Sequence, residues 1–316
     1  MLKQSLWLTA GVALSVASMG VSADQAPPGC GEVGFAQVNW TGVTLKTETA
    51  AMILEALGYD TEVTTVSVQI AFEAVAQGER DAFLGLWLPT QASMVEPYLE
   101  EGRLEKLTAN LEGAKYTLAV PEYVHDAGVT SFEDLDEHRE AFEGQILGIE
   151  PGNDGNVLIQ DMIDDDAYGL GDWQLVESSE AGMLAEVQRA ADSGEWVVFL
   201  GWAPHPMNRN IDMAYLTGGE AYFGKNQGEA TVHTLVGEDY KERCGNVARL
   251  LEQFTFEVSE QNQGEAYVMD EGMSSREAGK ALMRANPELL DRWLEGVTAR
   301  DGEASAREAV SGALGL

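Results

Sequence analysis

The chain has 316 residues, with 53 acidic and 19 basic side chains and a formal net charge of −34. That imbalance excludes binding to a nucleic-acid backbone as a main role, because such binding needs clustered Lys and Arg to release counterions. Apolar residues make up 45% of the chain, and the 34 Gly and 9 Pro are scattered rather than gathered into repeats or linkers, so packed cores are expected instead of disorder. The acidic excess permits a cationic solute, but it equally serves solubility.

Taken in chain order, the first stretch has one basic residue, Lys3, an apolar run from Leu6 to Ala17, and small residues at Val21, Ser22 and Ala23. This is the pattern of a secretory signal peptide over residues 1–23, and it predicts export to the periplasm. The run is too short to span a bilayer, and no later window offers about 18 uninterrupted apolar residues. What remains exceeds the usual size of one core and favours two lobes. The two cysteines, Cys30 and Cys244, are far apart and isolated. In an oxidising compartment they read as one disulfide, with a stabilisation of roughly 3–5 kcal/mol, which would place both ends of the chain in one lobe.

Residues 33–38 suit a strand, 46–57 a helix stopped by Gly58, 62–68 a strand, 71–77 a helix and 81–88 a buried strand. This β-α-β-α-β order predicts parallel strands with helices on their faces. Residues 115–120 form another extended run, 145–150 a strand, 157–164 the start of a helix, 196–201 a strand and 231–236 a strand; the chain beyond Lys241 is largely helical in pattern. The middle therefore reads as an insertion into a lobe built from both ends: lobe 1 from 24–117 and 211–316, lobe 2 from 118–210. Hinges are expected at 117–120 and 204–211. Ligands in such α/β architectures favour the cleft at the carboxyl ends of strands.

Three tryptophans, Trp40, Trp87 and Trp202, fall at the carboxyl ends of expected strands, and Tyr116 lies at the crossover between lobes. Trp196 opens its strand and Trp293 sits in an apolar helix pattern, which suits packing better. A trimethylammonium group has no N–H to donate, so hydrogen bonds cannot hold it. Aromatic faces can, each contributing about 0.5–2 kcal/mol when desolvated.

The chain also resembles a known family across nearly all of its exported part, through the blocks NWTGVT (Asn39 to Thr44), EALGYD (Glu55 to Asp60), FLGLWLPT (Phe83 to Thr90), NLEGAKYTLA (Asn110 to Ala119), GIEPGNDGN (Gly148 to Asn156), VESSEAGMLAEV (Val176 to Val187), VFLGWAPHPMN (Val198 to Asn208) and ATVHT (Ala230 to Thr234). It is similar to the periplasmic choline and glycine betaine binding proteins of ABC importers, and among them to the choline-binding branch. The resemblance implies a bilobal type II periplasmic binding protein, an aromatic box on Trp40, Trp87, Tyr116 and Trp202, a polar contact from Asn153, and a disulfide between Cys30 and Cys244. It implies as partners a small quaternary-ammonium ligand and the permease and ATPase complex of an ABC importer. No cofactor and no metal are expected, and a monomer is.

The sequence departs from that branch at one position. Where choline-binding relatives carry an aspartate two residues after the first box tryptophan, this chain has Gly42, which weakens the reading of choline and opens the site to a zwitterion such as glycine betaine. Carnitine and dimethylsulfoniopropionate are further onium candidates. The PGNDGN segment is also an ordinary turn, and as a loop opening a helix it can aim N–H groups at an oxyanion. His205, between two prolines, reads as a corner residue close enough to Trp202 for a ligand contact. From another class, a secreted enzyme acting on such a compound finds little support. No GxSxG elbow or HExxH occurs, and GEAYFGK (Gly219 to Lys225) is followed by Asn226 where a phosphate-binding loop needs Ser or Thr.

Overall fold

The computed structural model describes residues 30–302 and 304–316; the signal peptide expected at 1–23 lies outside them. The described strands are β1 (Glu32–Gln37), β2 (Asp60–Thr65), β3 (Ala82–Leu88), β4 (Leu104–Pro121), β5 (Gln145–Leu147), β6 (Gln174–Val176), β7 (Phe199–Ala203), β8 (Met213–Tyr215) and β9 (Glu229–Gly237). They join one sheet in the order β2-β1-β3-β9-β4-β7-β5-β6, with β8 attached to β4. β1 pairs in parallel with both β2 and β3, as the alternation with the helices Thr41–Ala56 and Val68–Ala76 requires of right-handed crossovers. β1 is buried at five of its six positions, the mark of a central strand covered on both faces.

β4 ties the molecule together. Its first part, from Leu104 to Lys115, runs antiparallel to β9. Lys115 to Ala119 then pairs with β7, and Ala119 to Pro121 with β8. One strand thus belongs to both halves of the sheet. On the far side β5 pairs in parallel with β6 and β7. The chain comes back through β8 and two short helices, Glu220–Phe223 and Lys225–Gly228, and enters β9 at Glu229. Residues 213–215 therefore still pair with the second half, beyond the return expected at 204–211.

The Cys30–Cys244 disulfide is present, across a separation of 214 residues, and both cysteines are buried. They share a core with Phe254 and Trp293. The Trp293 ring lies 4.5 Å from Phe254 and 5.1 Å from Phe256, and its indole N–H donates to the Thr255 carbonyl at 2.9 Å, so this large ring is buried without an unmet donor. Trp196 packs on Phe142 at 5.4 Å. Both tryptophans serve packing. Among the described residues no helix is long and apolar enough to cross a membrane.

Candidate functional site

Three aromatic rings come from strands of the one sheet. Trp87 is near the end of β3, opposite Val232 of β9. Tyr116 sits on β4 just where its partner changes from β9 to β7, and in register it faces Trp202 of β7. Ring centroids are 5.9 Å apart for Trp87 and Tyr116 and 6.2 Å apart for Tyr116 and Trp202, at interplanar angles of 57° and 80°. The tilts turn the rings into walls around a space instead of a stack. Trp40 closes the set from the residue before the helix Thr41–Ala56, in extended backbone. Its indole N–H donates to Glu150 Oε1 at 2.5 Å, which fixes the ring from the opposite half.

All four rings line one cavity of about 510 Å³, counting the space at its mouth. Val43, Leu111, Ile149 and Pro204 complete its apolar wall, while Gly42, Lys46, Asp154, Gln261 and Glu265 supply the rest. Tyr116 reaches its place because residue 155 is glycine: a Cβ there would lie 2.1 Å from the phenol oxygen. Burial, with Asp154 and Glu150 nearby, pushes the Tyr116 hydroxyl well above its ordinary pKa, so it stays neutral.

Hydrogen bonds cross the cleft at several points. Glu180 opens the helix Glu180–Ser193, which Ser179 caps by accepting from the Gly182 N–H. Its carboxyl accepts from the Thr41 N–H at 3.0 Å and from the Thr41 hydroxyl at 2.5 Å. Thr41 is the first residue of its helix, where N–H groups lack intrahelical partners and the dipole favours an anion. Gln91 Nε2 donates to Asp154 Oδ1 at 3.1 Å, and at the rim Arg209 and Asn210 both donate to Asp270 at 2.8 Å.

His205 stands behind Trp202, with ring centroids 4.9 Å apart, and not in the cavity wall. Its Nδ1 accepts the Met207 N–H at 3.0 Å, which leaves Nε2 to carry the proton and donate to Glu180 Oε1 at 3.2 Å. Asn153 is likewise behind the wall. Its Oδ1 accepts the Asn156 N–H at 2.9 Å, capping the helix Asp154–Asp164, and its Nδ2 donates to the Glu150 carbonyl. A side chain that caps turns back on its own helix, and so the neighbour, Asp154, faces the cavity instead. Burial raises the carboxyl pKa of both Asp154 and Glu150.

Four polar wall residues escaped the sequence reading. Asp154 was hidden in the turn. Lys46 lies one helical turn beyond Gly42, and Gln261 and Glu265 are one turn apart on the helix Val258–Met269; an i, i+4 polar pair is the signal that could have drawn notice. Lys46 is fully buried, donates to Asn110 Oδ1 at 2.7 Å, and has its pKa lowered to about 7 by desolvation. Burial lifts Glu265 to about 7. Apart from the cavity, Glu122, His125 and Asp126 bring one ligand atom each within 4.8 Å of one another on the short helix Glu122–Asp126.

Comparison with known proteins places the chain in a family. A family model described as the substrate binding domain of an ABC-type glycine betaine transport system matches residues 31–285. The chain belongs to that family. A solved ABC-transporter choline binding protein, in complex with choline, is 43% identical with a TM-score of 0.89, covering 91% of this chain and 99% of that one. Lactococcal OpuAC in its closed, glycine betaine-liganded form is 25% identical, with a TM-score of 0.73 and coverage of 83% and 98%. The glycine betaine/carnitine transport binding protein GbuC of Listeria monocytogenes is 30% identical over 160 residues, about half of each chain. This member of the glycine betaine transport family therefore has the type II periplasmic binding fold and is an extracytoplasmic solute-binding protein of an ABC importer. The family delivers solutes and does not transform them, so the enzyme reading falls.

Proposed function

We propose that the protein captures a small quaternary-ammonium compound, choline or glycine betaine, between Trp40, Trp87, Tyr116 and Trp202 and delivers it to the permease and ATPase of its importer. The observation that carries this reading is the convergence of four rings on one cavity. An onium head cannot donate a hydrogen bond, and four faces at about 0.5–2 kcal/mol each supply several of the roughly 8 kcal/mol that micromolar binding needs. Glu150, Asp154 and Glu180 surround the rings and favour a cation over a neutral isostere.

The lobes are read as 30–115 with 229–316, and 116–228, because β4 changes partner at Lys115 and the chain re-enters the first sheet half at Glu229. Bending at these two crossings would open the cleft, and the bonds from Glu150, Asp154 and Glu180 would hold it shut. The protein acts as a monomer on this account. Titration calorimetry against choline, glycine betaine, carnitine and dimethylsulfoniopropionate tests the reading. Micromolar binding of at least one, recovered unchanged by mass spectrometry, is expected; binding of none of them removes the proposal.

A further inference from the structure

Glu265 is 2% exposed and lines the ring-walled cavity. Its Oε1 accepts from Gln261 Nε2 at 2.6 Å. Its Oε2 is buried and has no hydrogen-bond partner among the described residues, and the same is true of Gln261 Oε1. Buried carboxyl oxygens are costly when left unmet, so a donor from outside the chain is wanted at this point. The missing side chain at residue 42 makes the position available. A Cβ on Gly42 would lie 2.6 Å from Glu265 Oε1 and 2.8 Å from Gln261 Nε2, so any other residue there would displace the pair.

From this geometry we infer that Glu265 is the group that reads the polar end of the ligand: it accepts a hydrogen bond from a hydroxyl and repels a carboxylate, so the site selects an onium alcohol of the choline type over an onium carboxylate of the glycine betaine type. The inference rests on the cage reading above and reverses what Gly42 alone suggests, since the glycine makes room for a carboxyl from another helix. The titratable groups near Glu265 are His205, Glu180 and Lys46. A permanent cation entering the cavity adds an opposite charge that favours the ionised, accepting form.

Calorimetry with three probes separates the two ideas. Tetramethylammonium has the onium head and no polar end, so it reports on the rings alone. Wild-type protein should bind it, and should bind choline at least tenfold more tightly than glycine betaine. Glu265→Gln should shrink that ratio at least tenfold, about 1.4 kcal/mol, while tetramethylammonium still binds, which shows that the variant is folded. Gly42→Ala, which pushes the carboxyl aside, should shrink the ratio in the same direction. If tetramethylammonium does not bind the wild type, the ring cage is wrong and this inference falls with it. If it binds, and the choline to glycine betaine ratio is unchanged in Glu265→Gln or already favours glycine betaine in the wild type, the role of Glu265 is refuted and the cage stands.

Discussion

Glu180 offers the sharpest test of closure. It stands in the second half of the molecule and accepts two hydrogen bonds from Thr41 in the first, with a third from His205 in its own half. Glu180→Ala leaves the Thr41 N–H and the His205 Nε2 proton without partners when the cleft is shut, whereas in an open form water satisfies the Thr41 N–H. Hydrogen bonds to charged groups contribute about 1.5–3 kcal/mol net of their exchange with water. A cost of about 2 kcal/mol to the closed form, within that range, is expected. If the closed form is the minor one without ligand, that cost appears entirely in affinity, since the apparent Kd scales inversely with the closed fraction. A loss of roughly 30-fold follows. It should be the same for choline, glycine betaine and tetramethylammonium, because the latch touches none of them. Calorimetry with the three ligands gives the losses, and small-angle scattering at one sub-saturating ligand concentration should show the variant less compact than the wild type. Unchanged affinity, or a loss confined to one ligand, would refute the latch.

Other expectations follow from single features of the site and core. Trp87→Ala and Trp202→Ala should each weaken onium binding at least tenfold by calorimetry without lowering the thermal midpoint enough to unfold the protein; unchanged affinity removes that ring from the cage. Replacing both Cys30 and Cys244 by Ser should cost about 3–5 kcal/mol in urea unfolding, given the long loop the bridge closes, and leave affinity intact because neither cysteine lines the cavity; equal stability would contradict this. In the ligand-free folded protein Glu265 holds its proton between pH 4.5 and about 7, where the unfolded chain has lost it, so its contribution to stability is present below that window and lost across it. Lys46 has the opposite sign between about 7 and 10.5, where the unfolded chain binds the extra proton and stability rises with pH. The stability difference between wild type and Glu265→Gln, measured by urea unfolding, should therefore fall as pH rises from 4.5 to 7 and then level off; a difference flat across that range speaks against a buried, protonated Glu265.

The parts of the molecule legible in the sequence are those where the pattern is local. β1, β2 and β3 alternate with helices at spacings that only a parallel sheet satisfies, and the tryptophans at their ends stand out by type and position. β4 was harder. Its pairing with β9 slips at three places between Lys106 and Ala114, so polar and apolar residues do not alternate, and only the regular run from Lys115 onward reads as a strand. Asn153 and Asp154 are adjacent and both suit a turn; which one caps the helix and which faces the cavity depends on the angle at which that helix meets Tyr116. Glu265 and Gln261 could not be placed at all from the sequence. They meet Gly42 across more than two hundred residues, and a Gln and a Glu one helical turn apart are ordinary on a solvated face. The glycine was visible as a gap; what fills it is decided by tertiary packing.

The central claim is that four rings surround one donor-free ammonium head. A crystal structure of the protein with bound choline measures this directly: the ammonium nitrogen should lie within about 6 Å of the ring centroids of Trp40, Trp87, Tyr116 and Trp202. Density for choline elsewhere, or at this cavity with its nitrogen turned away from those rings, contradicts it.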